Sequence, residues 1–186
     1  LVDHLSARRA PVLEDELAGN EEAKGLLGAV QREVERLTDV TENYLTLARL
    51  PDPHLSAEQV DEVLRDLLSF QGEELSRAGI SVHYEASEDL PEVRADTNQL
   101  RQAFMNLVRN AVDAMEGGGA LSVRARLEDG AVEVSIGDTG PGVPNEELER
   151  IFDPLYSTKP EGTGLGLAVT RQIVETHGGN IACEPG

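Results

Sequence analysis

The chain has no tryptophan, and aromatic residues make up only 3% of its 186 residues. Any core must therefore be built from Leu, Val, Ile and Ala. There is one cysteine, Cys183, which excludes an internal disulfide and fits a reducing compartment. Basic residues are outnumbered: 16 Lys and Arg face 35 Asp and Glu, for a formal charge of -19. A nucleic-acid partner needs cations to displace condensed counterions, so none is expected. Direct contact with an anionic membrane is disfavoured by the same sign argument. No apolar run reaches the roughly 18 residues that a membrane-spanning helix needs, and no signal-peptide pattern is visible. What remains has the size of one domain plus a smaller appendage. Leu1 lies in mid-pattern and Gly186 comes just after a strand-like segment, so the sequence reads as a piece of something longer.

Residues 1–50 read as two helices broken at Gly19-Asn20. Apolar or small residues recur at 23, 27, 30, 34, 37, 41, 44 and 48, with only Thr41 polar. That alternation of four and three is a heptad seam. A hairpin this short buries too little area alone, and pairing with a second copy into a four-helix bundle is the expected remedy. Pro51-Asp52-Pro53 marks a linker, assigned to 51–56. Ser56 with Gln59 reads as a capping box opening a helix over 57–78, which Gly79 ends. Short strands are expected at 80–86 and 92–95, and a helix at 97–116 capped by Asp96 with Gln99. Strands at 120–127 and 131–137 flank the turn pair Asp129-Gly130. A helix at 164–177 and a strand at 180–184 close the pattern. Residues 57–186 thus predict a two-layer α/β sandwich, helices on one face of a mostly antiparallel sheet.

Three segments carry chemistry. On the helix 97–116, Asn106, Asn110 and Asp113 fall at i, i+4 and i+7, one polar stripe beside an apolar face of Leu100, Ala103, Phe104, Leu107, Ala111 and Ala114. Such a stripe is either a solvated edge or a set of oxygen ligands for a hard cation such as Mg²⁺. Asp138-Thr139-Gly140-Pro141-Gly142 ends a strand. That places a carboxylate where it can accept the amine hydrogen of adenine. The Asp-Thr-Gly triplet also occurs in aspartic proteases, but these need two such carboxylates and the chain has one copy. Gly162-Thr163-Gly164-Leu165-Gly166 precedes a helix, and successive backbone N–H groups at a helix start form an anion site. It is neither a dinucleotide fingerprint, which wants glycine where Leu167 stands, nor a P-loop. Lys159, three residues before it, can offset phosphate charge. The Gly- and Pro-rich stretch 144–163 has the composition of a lid, with Phe152, Leu155 and Tyr156 as its apolar anchors.

With these residues in order, the sequence resembles the ATP-binding domain of bacterial sensor histidine kinases, in the group shared with gyrase, mismatch-repair and chaperone ATPases. NLVRNAVDA (106–114) is similar to that family's N box, DTGPG (138–142) to its G1 box, FDPLYSTK (152–159) to its F box and GTGLGLAV (162–169) to its G2 box. Residues 33–50 resemble the second helix of its dimerisation and phosphotransfer hairpin. The resemblance implies ATP or ADP with Mg²⁺ as cofactors. Asn110 would be the metal ligand, Asp138 the adenine anchor, and Gly140, Gly142 and Val143 the adenine wall. Asn106, Asp113, Lys159, Gly162, Thr163, Gly164, Leu165 and Gly166 would surround the phosphates. Asn106 and Lys159 would be the catalytic pair. Asn106 stands where the ATPase branches carry a water-activating Glu; an amide cannot act as that base, which favours transfer to a protein side chain. The implied partners are a second copy and a response regulator's receiver domain, with a cytoplasmic location. The family's His-Glu phosphoacceptor box is absent. His4 lacks its pattern and Pro11 would put the acceptor at Ser6, so the acceptor is expected upstream of Leu1. The rival readings are an anti-sigma-type serine kinase and a nucleotide-gated scaffold that passes no phosphate.

Overall fold

A computed structural model describes residues 25–31, 33–34, 37–38, 41, 50–159 and 162–185. The chain divides into two compact units, residues 1–42 and 43–186. The expected first helix, with His4, Ser6, Pro11 and the Gly19-Asn20 break, lies outside the described residues. So do seam positions 23, 44 and 48. The described part of the first unit is helical and leaves Leu26, Val30, Val34 and Leu37 exposed along one side. Thr41, the polar member of the seam, gives its hydroxyl hydrogen to the Leu37 carbonyl oxygen at 2.7 Å. It therefore needs no partner from elsewhere.

The second unit begins with strand β1 (Ser56–Glu58) and helix α1 (Val60–Arg77). Here the expected helix start is corrected. Ser56 is not a cap: its hydroxyl donates to Glu58 Oε1 at 2.6 Å, and its backbone pairs with Ala95. Gln59 precedes the first turn without a side-chain capping bond, and Asp61 and Glu62 face the positive helix end instead. Helix α1 buries Val60, Val63, Leu64, Leu67 and Leu75, the helical spacing that puts one face inward. It stops where Gly79 takes φ +72, a left-handed turn that a Cβ would penalise.

Strands β2 (Ile80–Ala86), β4 (Gly119–Glu128) and β5 (Ala131–Asp138) form one sheet in the order β2-β4-β5. Strand β3 (Val93–Ala95) pairs antiparallel with β1 in a separate two-stranded ladder. The main sheet is mixed rather than mostly antiparallel. β2 and β4 run parallel, because the long connection between them contains helix α2 (Thr97–Ala114) and crosses back over the sheet. β4 and β5 are antiparallel, with Leu121 opposite Asp138. Their turn has Asp129 at φ 50 and Gly130 at φ 82, the two positive angles of a type I′ hairpin. Residues 180–184 keep the in-out burial of a strand but pair with no strand among the described residues. An alternating pattern alone does not make a ladder.

Along β4 the side chains of Leu121, Val123 and Ala125 are buried under the helices, whereas Arg124 and Arg126 point to the opposite, wet face. This is a two-layer α/β sandwich. One core joins α1, α2 and the sheet through Leu64, Leu67, Phe104, Val108, Leu121 and Val123. A second joins α2 to helix α3 (Gly166–Thr176) through Ala103, Val169 and Ile173, with Leu50 packed against it. Because α2 packs on two sides, its buried positions include Ala103, Val108 and Ala111, while Leu100 is only partly covered.

The ends of α2 and α3 are clasped together. Asp96 caps α2 by accepting from the N–H groups of Asn98 and Gln99. Its own N–H donates to His177 Nε2 at 2.9 Å, and His177 Nδ1 meets the Ile173 carbonyl at 2.7 Å. With Nε2 accepting, Nδ1 donates to the Ile173 carbonyl, and His177 braces the two helix ends. The 51–56 segment is held as well. Gln99 Nε2 donates to the Pro51 carbonyl and the His54 N–H to Asp96 Oδ2, both at 2.9 Å.

Candidate active site

Helix α2 is the spine of the site and carries a different group at each turn. At its middle, Asn106 Nδ2 donates to the Gly166 carbonyl at 3.1 Å and lies 3.4 Å from Thr170 Oγ1. The amide nitrogen thus braces the start of α3, and Oδ1 has no partner among the described residues. One turn on, Asn110 is half-buried, and no described residue bonds its side chain. Next comes Asp113, whose Oδ2 meets Lys159 Nζ at 2.9 Å. At the C-terminus the Ala114 carbonyl faces the turn that follows β5.

That turn is tightly built. Asp138 Oδ1 accepts the Gly140 N–H at 2.8 Å, and its Oδ2 has no partner among the described residues. A Cβ at Gly140 would lie 2.7 Å from Asp138 Oδ1 and 2.8 Å from the Ala114 oxygen, so this wall admits only glycine. Gly142 has φ +71, and Val143 beside it is half-buried. Thr139 fixes the turn from behind: its Oγ1 accepts the Ala120 N–H at 3.0 Å and donates to Met115 Sδ at 3.6 Å. Sequence reasoning gave Thr139 no role, although it stands inside the motif. Thr170 was also missed. It is fully buried and donates to the Gly166 carbonyl at 2.9 Å; only the fold brings it to Asn106.

The glycine run closes the other side. Leu165 precedes α3 with no side-chain capping bond, and the first turn contains no acidic residue. The N–H groups that open every helix are therefore left for an outside anion. Thr163 Oγ1 accepts the Leu165 N–H at 3.3 Å. Gly164, at φ +64, would put a Cβ 2.5 Å from the Leu155 carbonyl carbon, and its own carbonyl accepts the Leu155 N–H at 2.9 Å. A Cβ on Gly162 would stand 2.1 Å from Ser157 Oγ. These contacts pin the 155–159 segment against the start of α3. The expected anchors are corrected in part. Phe152 is buried under Arg171 and half-buried Tyr156 lies under Arg150, but Leu155 is 70% exposed at φ 67. Its N–H is bonded to the Gly164 carbonyl while its side chain faces outward.

Among the described residues no hydrogen bond joins the Asp138 turn to the 162–166 loop. Helix α2 links them, touching one at Ala114 and the other at Asn106. Eight residues of α-helix span about 12 Å, and Asn110 lies midway. An unpaired carboxylate oxygen, an unpaired amide and open helix N–H groups are thus set out along one helix. The groove between α1 and α2, lined by Gln71, Glu74, Met105, Arg109 and Val112, shares only Asp113 with them. Cys183 is no competitor for the chemistry: burial, then the negative charges of Asp138 and Glu184, push its thiol above the ordinary value, away from the reactive thiolate.

Comparison with known proteins agrees with this geometry. Residues 95–186 match the family described as histidine kinase-, DNA gyrase B- and HSP90-like ATPases. The chain belongs to that ATPase family. Sensor histidine kinase ZraS of Escherichia coli K12 is 36% identical over 175 residues, covering 94% of this chain and 36% of that protein. ZraS of Klebsiella oxytoca is 40% identical over 166 residues, covering 88% and 36%. Among solved structures, the catalytic domain of histidine kinase ThkA superposes with a TM-score of 0.62 at 33% identity, covering 67% of this chain and 82% of that one. Full-length ShkA in complex with AMPPNP gives 0.76 at 29%, covering 90% and 37%. Within the family, the chain falls with the bacterial sensor histidine kinases. It spans little more than a third of the length of the curated relatives it matches.

Proposed function

We propose that this chain is the catalytic module of a two-component histidine kinase. It binds Mg·ATP, transfers the γ-phosphoryl group to a histidine on a dimeric helical hairpin, and passes it from there to an aspartate of a response regulator's receiver domain. The observation that carries this reading is the series of unpaired groups along α2. Asp138 Oδ2, free while Oδ1 is held by Gly140, accepts the adenine amine. The uncapped start of α3 takes phosphate oxygens, with Thr163 and Gly162 to Gly166 shaping the loop. No cluster of three or more His, Cys, Asp or Glu side chains exists among the described residues. A Mg²⁺ ion would accordingly take the Asn110 amide oxygen, phosphate oxygens and water, as this cation prefers. The metal supplies charge neutralisation; positioning is what the residues contribute. Asn106 offers an amide where a hydrolase needs a base, and Nδ2 is occupied by Gly166. It holds the site together and activates no water. ADP, the product, fits the same contacts.

The domain division follows the same reading: a hairpin over 1–50, a linker at 51–56 and the ATP-binding domain over 57–186, with β1, paired to β3, straddling the last boundary at Ser56. The exposed stripe Leu26, Val30, Val34 and Leu37 supports a homodimer formed through the hairpin. The partner assignment draws on ThkA, whose structure in complex with response regulator TrrA shares this fold with a TM-score of 0.78. No helix among the described residues is long and apolar enough to cross a membrane, which fits a cytoplasmic placement of this part. The test is incubation of the full-length protein with γ-labelled ATP. Acid-labile, base-stable label is expected. Acid-stable label would mean a serine kinase, and binding without label a scaffold.

A further inference from the structure

We propose that Asp113 is a counter-ion that holds Lys159 while the site is empty and surrenders it to a bound polyphosphate, so that Asp113 sets the preference among nucleotides by charge. This rests on the nucleotide reading above and goes beyond it. Three observations carry it. Lys159 Nζ contacts Asp113 Oδ2 at 2.9 Å, and no other pairing of the ammonium occurs among the described residues. Asp113 lies one turn beyond Asn110 and two beyond Asn106, whereas the anion-binding loop meets α2 at Asn106. The ammonium is therefore held in the C-terminal part of α2, although the lysine precedes the loop by only three residues. Both side chains are partly exposed, 40% and 47%, and a pair in that setting is weak enough to exchange.

The choice of residue supports exchange. The chain has two lysines, Lys24 and Lys159, and its other basic residues are arginines. An arginine at 159 would grip Asp113 with two parallel bonds. A lysine is a compact charge on a flexible stem and moves between partners. A triphosphate outcompetes a single carboxylate for that charge. The cost of releasing Lys159 thus falls on every ligand that recruits it and on none that does not.

Calorimetry with Mg·ATP, Mg·ADP and adenosine on the wild type, Asp113→Asn, Lys159→Met and the double variant tests this. Asp113→Asn should tighten Mg·ATP by up to roughly fivefold, the upper end of what a surface charge pair spans. Mg·ADP should gain less and adenosine nothing. In the Lys159→Met background the gain should vanish. Lys159→Arg should weaken Mg·ATP and leave adenosine unchanged. Unchanged or weaker Mg·ATP binding by Asp113→Asn, or a gain that survives without Lys159, overturns the proposal. Adenosine serves as the fold control, since it needs only the Asp138 end. If the wild type takes up none of the three, the nucleotide reading itself falls. If adenosine binds and Asp113→Asn is flat, only the counter-ion role falls.

Discussion

The two ends of the candidate site are built on opposite terms. At the Asp138 end the side chains of Asp138 and Thr139 are already bonded. Thr139 bonds Ala120 and Met115, Gly140 bonds Asp138, and the wall is closed against Ala114. One oxygen, Asp138 Oδ2, is left over. At the 162–166 end the reverse holds: the helix start is uncapped, Lys159 is loosely paired, and the loop is held by backbone contacts to 155–159. A rigid end with one open acceptor reads a fixed shape such as a base. An end of open donors takes a charged, variable tail. The difference assigns recognition to one and chemistry to the other.

That contrast can be broken. The largest effect should come from Asp138→Asn, which presents an N–H or a weaker acceptor to the adenine amine. A charge-assisted bond is worth about 2–3 kcal/mol, so ATP, ADP and adenosine should all lose affinity on the order of a hundredfold by calorimetry. A loss confined to ATP would place the base elsewhere. Gly164→Ala comes next. It forces a Cβ into left-handed backbone at a cost of about 1–2 kcal/mol, against Leu155 backbone 2.5 Å away. Mg·ATP should weaken roughly tenfold while adenosine is retained; equal losses would mean the two ends are not separable. Asn110→Ala should reduce the dependence of ATP affinity on magnesium by a fewfold and leave magnesium-free binding alone, and an unchanged magnesium titration would remove Asn110 from the metal.

The smallest effect concerns the clasp behind the site. The His54 N–H, with those of Gln99 and Asn98, holds the Asp96 carboxyl below the ordinary carboxylate range despite burial. A lowered folded value means that this contribution is present above the unfolded value, about 3.9, and is lost as pH falls through the folded one. Asp96→Ala should therefore cost about 1 kcal/mol in denaturant unfolding at neutral pH, and this difference should shrink as pH falls below the ordinary carboxylate range. A difference that persisted in acid would show that the carboxylate charge is not what matters.

What could be read from the chain alone was local. The Asp129-Gly130 turn, the Asp96 cap and the glycine end of α1 each depend on residues within four positions, and each is formed. The family boxes were legible because phosphate and base contacts need glycine and carboxylate at fixed short spacings. Misreadings arose where distant pairing decides. Ser56 and Gln59 imitate a capping box, but pairing with Val93–Ala95 draws 56–58 into a strand. The parallel register of β2 with β4 has no local signature. Nor do the Asp96–His177 and Asp113–Lys159 contacts, which join residues 81 and 46 positions apart.

The central claim is that Asp138, Asn110 and the 162–166 loop serve one adenosine polyphosphate. Titration calorimetry of the protein with ATP in magnesium tests it most directly. One molecule bound per chain, with uptake lost in Asp138→Asn, is the expected result. No heat of binding for either ATP or ADP, or uptake indifferent to residue 138, would contradict it.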